Sequence, residues 1–191
     1  MITRYLRPGF SLIVLMTLVT GLVYPLVITG ASEVAFAARS RGSIVVHDGR
    51  PIGSSLIGQN FTDPKYFWGR PSATSPQPYN GAASGGSNLG PLNPALIEKV
   101  RANAKALREA DPTNAAAIPV ELVTASTSGL DPDISPAAAD YQAGRVARVR
   151  NIPLDQLRAL IAAHRHEPLL GVIGEPTINV LELNLALDQR R

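Results

Sequence analysis

Ser84-Gly85-Gly86-Ser87-Asn88 is the segment of this chain best suited to holding an anion. Successive backbone N–H groups in such a turn can form a nest for a phosphate-like group. It lacks the Gly-Lys-Ser/Thr ending of a Walker A loop, and a rigid glycine turn is the plainer account. His164 and His166 are two residues apart. On a helix that spacing puts them on different faces, so they are not the i, i+4 pair of a metal site. A helix C-terminus, which favours a protonated imidazole, is the simpler reading. Ser126, Ser128 and Asp131, with His47 or His164 as base, have the residue types of a hydrolase, but no Gly-x-Ser-x-Gly elbow is present. Asp131, Asp133 and Asp140 offer oxygens to a cation without the spacing of an EF-hand loop. None of these groups makes a convincing catalytic centre.

The elements that would position such groups begin with an apolar run. Residues 8–32 carry no charged side chain and are mostly apolar. A membrane-spanning helix needs roughly 20 such residues to cross about 30 Å of hydrocarbon. A cleaved signal peptide is the rival, since Arg4 and Arg7 precede the run and Ala35-Phe36-Ala37 resembles a cleavage site. The run is too long for a signal h-region, and a retained helix is expected. Pro25 removes a backbone donor late in the span and should kink the helix. Thr17, Thr20, Gly21, Thr29 and Gly30 give small surface against which another helix could pack. Arg39 and Arg41 follow the span as Arg4 and Arg7 precede it, so charge bias does not set the orientation. The absence of cysteine fits either side of a membrane.

Beyond residue 38 the chain is long enough for one domain with its own core. The expected organisation is therefore residues 1–38 as tail and span, and 39–191 as a soluble domain. A net charge of +3 with scattered basic residues argues against nucleic-acid binding. Ser43-Ile44-Val45-Val46, then Asp48-Gly49, then Ile52 read as a hairpin. Residues 59–93 are too rich in Gly, Pro, Ser and Asn for regular structure, yet Tyr66, Phe67 and Trp68 argue for an ordered loop. Asn93-Pro94 and Ser135-Pro136 each place an N-cap before a first-turn proline and predict helices. A third helix should start near Asp155 and end by His166. Residues 118–123 read as a strand or extended segment, and 126–133 as a polar turn. From Thr177 to Leu187 leucines alternate with Glu182 and Asn184, which predicts a terminal strand, with a helix as the alternative because leucine-rich ends often turn helical. The sum is an α+β fold, one transmembrane helix followed by helices packed on a small sheet. The residues by themselves point to a partner-binding subunit.

Several blocks together carry a family resemblance. They include Tyr24-Pro25-Leu26 with Thr29, Gly53-Ser54, Leu56-Ile57-Gly58-Gln59, Tyr66-Phe67 and Arg70-Pro71-Ser72-Ala73. Residues 84–91 (SGGSNLGP), Val123-Thr124-Ala125-Ser126, residues 128–132 (SGLDP), Ile134-Ser135-Pro136 and Tyr141-Gln142 follow in order. Arg145-Val146-Ala147, Gly174-Glu175-Pro176 and Asn179-Val180-Leu181 complete them. With these, the chain resembles the KdpC family, the C subunits of bacterial Kdp potassium-transporting ATPases. Thr127, Asp133 and Thr177 depart from the pattern, where Gly, His and Arg are usual.

The resemblance implies an accessory subunit with no catalytic centre of its own. Its partners would be a channel-like A subunit, a P-type ATPase B subunit, a small F subunit and the lipid bilayer. It implies a single pass through the cell inner membrane, with the N-terminus cytoplasmic and the domain periplasmic. It also implies a catalytic chaperone that promotes ATP use by the B subunit, with ATP as a ligand. The nucleotide contact would map to residues 123–129 through Ser126, Ser128 and Gly129, with Gln142. A polar turn before a capped helix explains the same residues. ATP is hydrolysed on the side opposite the implied domain, so an effect transmitted through the span is the easier route. The alternatives are a free-standing membrane-anchored binding domain and an exported hydrolase using Ser126.

Overall fold

The computed structural model describes residues 3–190. Its contacts divide the chain into two units, one ending at Ile44 and one beginning at Val45. In the first, α1 (Thr3–Leu18) runs into a π-helical turn at Val19–Val23, and α2 (Tyr24–Ala35) continues it. Arg4–Ala35 is long and apolar enough to cross a membrane. Its 32 residues extend about 48 Å at 1.5 Å per residue, more than the hydrocarbon thickness. On the N-terminal side of Pro25 the helix widens into this π-turn. Proline has no N–H and its ring crowds the carbonyl four residues back, here that of Gly21. Tyr24 N–H bonds to the Val19 carbonyl, five residues back, as the π-turn requires. A single short turn, α3 (Ala37–Ser40), follows.

β1 (Ile44–His47) and β2 (Arg50–Ser54) form the expected two-stranded hairpin. Asp48 and Gly49 both adopt positive φ, which a two-residue hairpin turn demands. The next regular element is α4 (Pro94–Ala110), so residues 59–93 are indeed irregular. Asn93 caps α4 by accepting the Ala95 N–H at 3.0 Å. Val120–Leu122 is a 3₁₀ turn, not the extended segment expected for 118–123. The tight turn buries the adjacent residues Leu122 and Val123 together, whereas a strand would send them to opposite faces. It also leaves Glu121 free to accept the Ser135 N–H at 3.0 Å and its hydroxyl.

β3 (Asp133–Ile134) leads to the central helix α5 (Pro136–Arg150). Ser135 Oγ accepts the Ala138 N–H at 3.1 Å. At the other end Asn151 turns left-handed, and Ile152 N–H reaches back to the Ala147 carbonyl at 3.0 Å, a Schellman closure. α6 (Leu154–Ala163) follows, ending three residues earlier than the expected limit at His166. His166 lies instead in β4 (Arg165–His166), which pairs antiparallel with β5 (Thr177–Asn179). β5 is the centre of the three-stranded sheet, and Ile134 faces Ile178 across β3–β5.

The terminal strand expected from Thr177 to Leu187 is corrected. Only its first three residues are strand, and α7 (Val180–Asp188) takes the rest. Val180, Leu183, Asn184 and Leu187 are buried, an i, i+3, i+4, i+7 stripe, and Leu181 beside them is buried as well. Asn179 caps the helix by accepting the Glu182 N–H at 3.1 Å. The core joins Ile134 and Ile178 of the sheet, Val146 of α5, Leu157 and Ile161 of α6, Leu183 and Leu187 of α7, and Phe67 of the long loop. α5 is buried on most sides, and its alanines 138, 139, 143 and 147 let neighbours come close.

Candidate functional site

The polar groups of the second unit converge on the 59–93 loop, and two buried amides do most of the holding. Gln142 on α5 is 1% exposed. Its Oε1 accepts the Trp68 N–H at 2.8 Å and its Nε2 donates to the Trp68 carbonyl at 3.0 Å. Asn184 on α7 repeats this one residue earlier in the loop. It accepts the Phe67 N–H at 2.9 Å and donates to the Phe67 carbonyl at 3.0 Å. Each amide thus serves as a strand partner for a backbone that has none, as buried backbone groups require. Phe67 is fully buried as a result.

Arg145 completes the clamp. Its Nη2 donates to Gln142 Oε1 at 2.7 Å, and its Nη1 donates to the carbonyls of Pro64 and Tyr66. The guanidinium lies 4.5 Å from the Trp68 ring centroid. Burial pulls its pKa down to about 10, so it remains charged at neutral pH. Arg150, one turn on, donates to the Lys65 carbonyl at 2.8 Å and pairs with Asp188 at 2.7 Å. Tyr66 donates to the same Asp188 at 2.8 Å. Burial, then that hydrogen bond, raises the Tyr66 pKa.

The turn at 126–131 holds the far end of the loop. Gly85 N–H donates to the Ser128 carbonyl at 2.9 Å, and Ser72 Oγ donates to the Gly129 carbonyl at 2.7 Å. Arg70 pairs with Asp131 at 3.0 Å. Tyr79 donates its hydroxyl to the Arg70 carbonyl, and burial pushes its pKa up to about 12. Gly129 sits at φ +66°, and a Cβ there would lie 2.6 Å from Thr74 Cγ2 and 2.8 Å from the Gly85 carbonyl oxygen. Glycine is required both by the backbone and by the space. Beside this turn Asn60, Phe61, Trp68, Arg70, Tyr79 and Leu107 line a cleft of about 430 Å³.

Each expected nucleotide contact is engaged within the domain. Ser126 is buried and its Oγ accepts the Gly129 N–H at 2.9 Å. Ser128 Oγ accepts the Leu130 N–H at 3.1 Å, and the Gly129 backbone is fixed by Ser126 and Ser72. Gln142 has both amide atoms committed to Trp68, Ala138 and Arg145. In the Ser84–Asn88 nest, the Gly85 N–H is already donated to Ser128. His164 turns its Nδ1 to the Leu160 carbonyl at 3.0 Å, and His47 Nε2 lies 3.5 Å from Asp48. Among the described residues no three His, Cys, Asp or Glu cluster to hold a metal. Sequence reasoning missed Asn184 and Arg145. The one signal for Asn184 was an amide inside a leucine-rich run that proved helical.

The fold and the site define a small α+β domain, behind a long apolar helix, whose buried polar side chains fix one irregular loop. Residues 6–189 match the family model described as KdpC, K+-transporting ATPase, c chain. The chain is 63% identical over 183 residues to the potassium-transporting ATPase KdpC subunit of Polaromonas naphthalenivorans, covering 96% of this chain and 93% of that protein. It is 64% identical over 183 residues to the KdpC subunit of Variovorax paradoxus, covering 96% and 95%. The corresponding subunit of Ralstonia nicotianae is 60% identical over 182 residues, covering 95% and 89%. The chain belongs to the KdpC family.

Proposed function

We propose that this chain is the accessory C subunit of an ATP-driven potassium uptake pump. The observation that carries this reading is family membership over nearly the whole chain. The Arg4–Ala35 helix anchors it in the inner membrane, with the N-terminus in the cytoplasm and the domain outside. Its partners are a channel-like subunit, a P-type ATPase subunit and a small single-helix subunit, which it helps assemble. Any promotion of ATP use by the catalytic subunit passes through the span. Gly21 and Gly30 support this, since small residues let a helix approach closely in lipid. Ser126, Ser128, Gly129 and Gln142 act as staples of the loop, and ATP is held by the partner.

Purification of the tagged chain from membranes in mild detergent tests the assembly reading. Mass spectrometry is expected to find a channel-like protein and a P-type ATPase among its companions, and deletion of the chain to abolish high-affinity potassium uptake. Recovery of the chain alone, with uptake unchanged on deletion, would favour a free-standing anchored domain. Labelled ATP added to the isolated chain is expected not to bind. Saturable binding lost in Ser128→Ala would restore the nucleotide assignment.

A further inference from the structure

We infer that Asn80-Gly81 is a self-modification site, at which the Gly81 backbone nitrogen attacks the Asn80 side-chain amide and converts it to an acid. Asn80 alone among the asparagines of this chain is followed by glycine. The turn around it supplies what the attack needs. Asn80 Oδ1 accepts the Ala82 N–H at 3.1 Å. That donor is therefore already aimed at the oxygen on which negative charge develops as Cγ is attacked. The Gly81 N–H has no hydrogen-bond partner, and Gly81 is exposed, so water can take its proton. Glycine puts no Cβ beside the attacking nitrogen. The backbone on either side is held in place. Asn80 N–H donates to Thr74 Oγ1 at 3.0 Å, and the Asn80 carbonyl accepts the Ala83 N–H at 3.0 Å.

The step balances with water as the co-reactant and involves no redox change. The Gly81 nitrogen gives up its proton to solvent and forms a bond to Asn80 Cγ. The Cγ–Nδ2 bond breaks, and Nδ2 leaves as ammonia with a proton from water. Water then opens the cyclic imide. Addition at Cγ breaks the new bond and leaves aspartate. Addition at the Asn80 backbone carbonyl breaks the original peptide bond and leaves isoaspartate, with the main chain running through the side chain. Either product lacks the Nδ2 that now donates to the Ser75 carbonyl at 3.0 Å. Isoaspartate also lengthens the main chain inside the turn closed by Ala83. This turn lies between Tyr79, which lines the cleft, and Gly85, which is tied to Ser128, so the modification loosens the outer end of the loop.

Asn114 is an internal control. Its Oδ1 accepts the Ala116 N–H at 3.1 Å, the same arrangement, and it too is half-buried, but alanine follows it. Gly81→Ala is a mild variant, since a Cβ there would meet only Ile57 Cδ1 at 3.6 Å and the Gly81 φ is not left-handed. The full chain in mild detergent would be warmed at slightly alkaline pH, with Trp68 emission showing that it stays folded. It would then be digested and its peptides weighed and tested for isoaspartate. The expected result is loss of the Asn80 amide with isoaspartate among the products, an intact Asn114, and loss of the reaction in Gly81→Ala. An Asn80 that survives in the folded chain but is converted in urea would show that the fold protects it, and would overturn the inference. Equal conversion of Asn80 and Asn114, or conversion undiminished in Gly81→Ala, would overturn it as well, since neither needs attack by the Gly81 nitrogen.

Discussion

Gln142 shows how much one side chain can carry. Both of its amide atoms are used twice, and the groups it satisfies are buried where water cannot replace it. Gln142→Ala leaves the Trp68 N–H and one Arg145 donor without an acceptor, and is expected to cost about 2–4 kcal/mol. Denaturant unfolding followed by emission of Trp68, the sole tryptophan, measures this at the contact itself. An unchanged midpoint would mean that Gln142 does not hold the loop. Asp133 gives a pH dependence. Burial raises its pKa above the ordinary 3.8, with nearby Asp131 acting in the same direction, while hydrogen bonds from Thr177 and Asn179 and the proximity of His166 oppose it. A carboxyl whose folded pKa is raised binds its proton more readily when folded. Its stabilising contribution is complete below the unfolded value and is lost as pH rises through the folded one. Asp133→Asn should therefore gain stability over the native chain across that window and keep the gain at neutral pH. Urea midpoints of the two proteins that differ equally at every pH would refute this.

At the scale of elements, caps decide where helices begin, and one of them also decides what the element is. Asn179 ends β5 and starts α7 with the same side chain. Its Oδ1 accepts the Glu182 N–H, while its Nδ2 donates to the Ser55 carbonyl at 2.8 Å and to Asp133 at 3.2 Å. Loss of an Asn cap costs about 0.5–2 kcal/mol, and here the tie to residue 55 is lost with it. Asn179→Ala is expected to lower the unfolding midpoint and to increase hydrogen exchange at the Glu182 amide. Exchange as slow as in the native chain would show that packing of the 180/183/184/187 stripe suffices. The π-turn before Pro25 is a comparable case, in which one missing donor changes the geometry of the turn that precedes it.

For the whole molecule, the division after Ile44 separates a helix suited to lipid from a domain with its own core. Every member of the core cluster lies between Phe67 and Leu187. A chain beginning at Arg41 is therefore expected to unfold cooperatively, with the Trp68 emission of the full-length protein. Non-cooperative melting would show that the domain depends on the anchor. The alternation of leucines at 181, 183, 185 and 187 has the period of two that a strand requires. Burial selected 180, 181, 183, 184 and 187, a helical set that only packing against α6 and the loop could distinguish.

By itself the sequence determined the features whose causes are local. These are the length of the apolar run, the Asp48-Gly49 hairpin, the Asn93-Pro94 and Ser135-Pro136 helix starts, and the irregularity of a Gly- and Pro-rich segment. Its ordered blocks were also enough for the family to be recognised. Only the tertiary structure decided what the buried polar groups do. Asn184 meets Phe67 across 117 residues and Gln142 meets Trp68 across 74. No local pattern encodes such a pairing. A buried amide takes whichever unsatisfied backbone the fold brings to it, and for Gln142 that backbone is the one at Trp68.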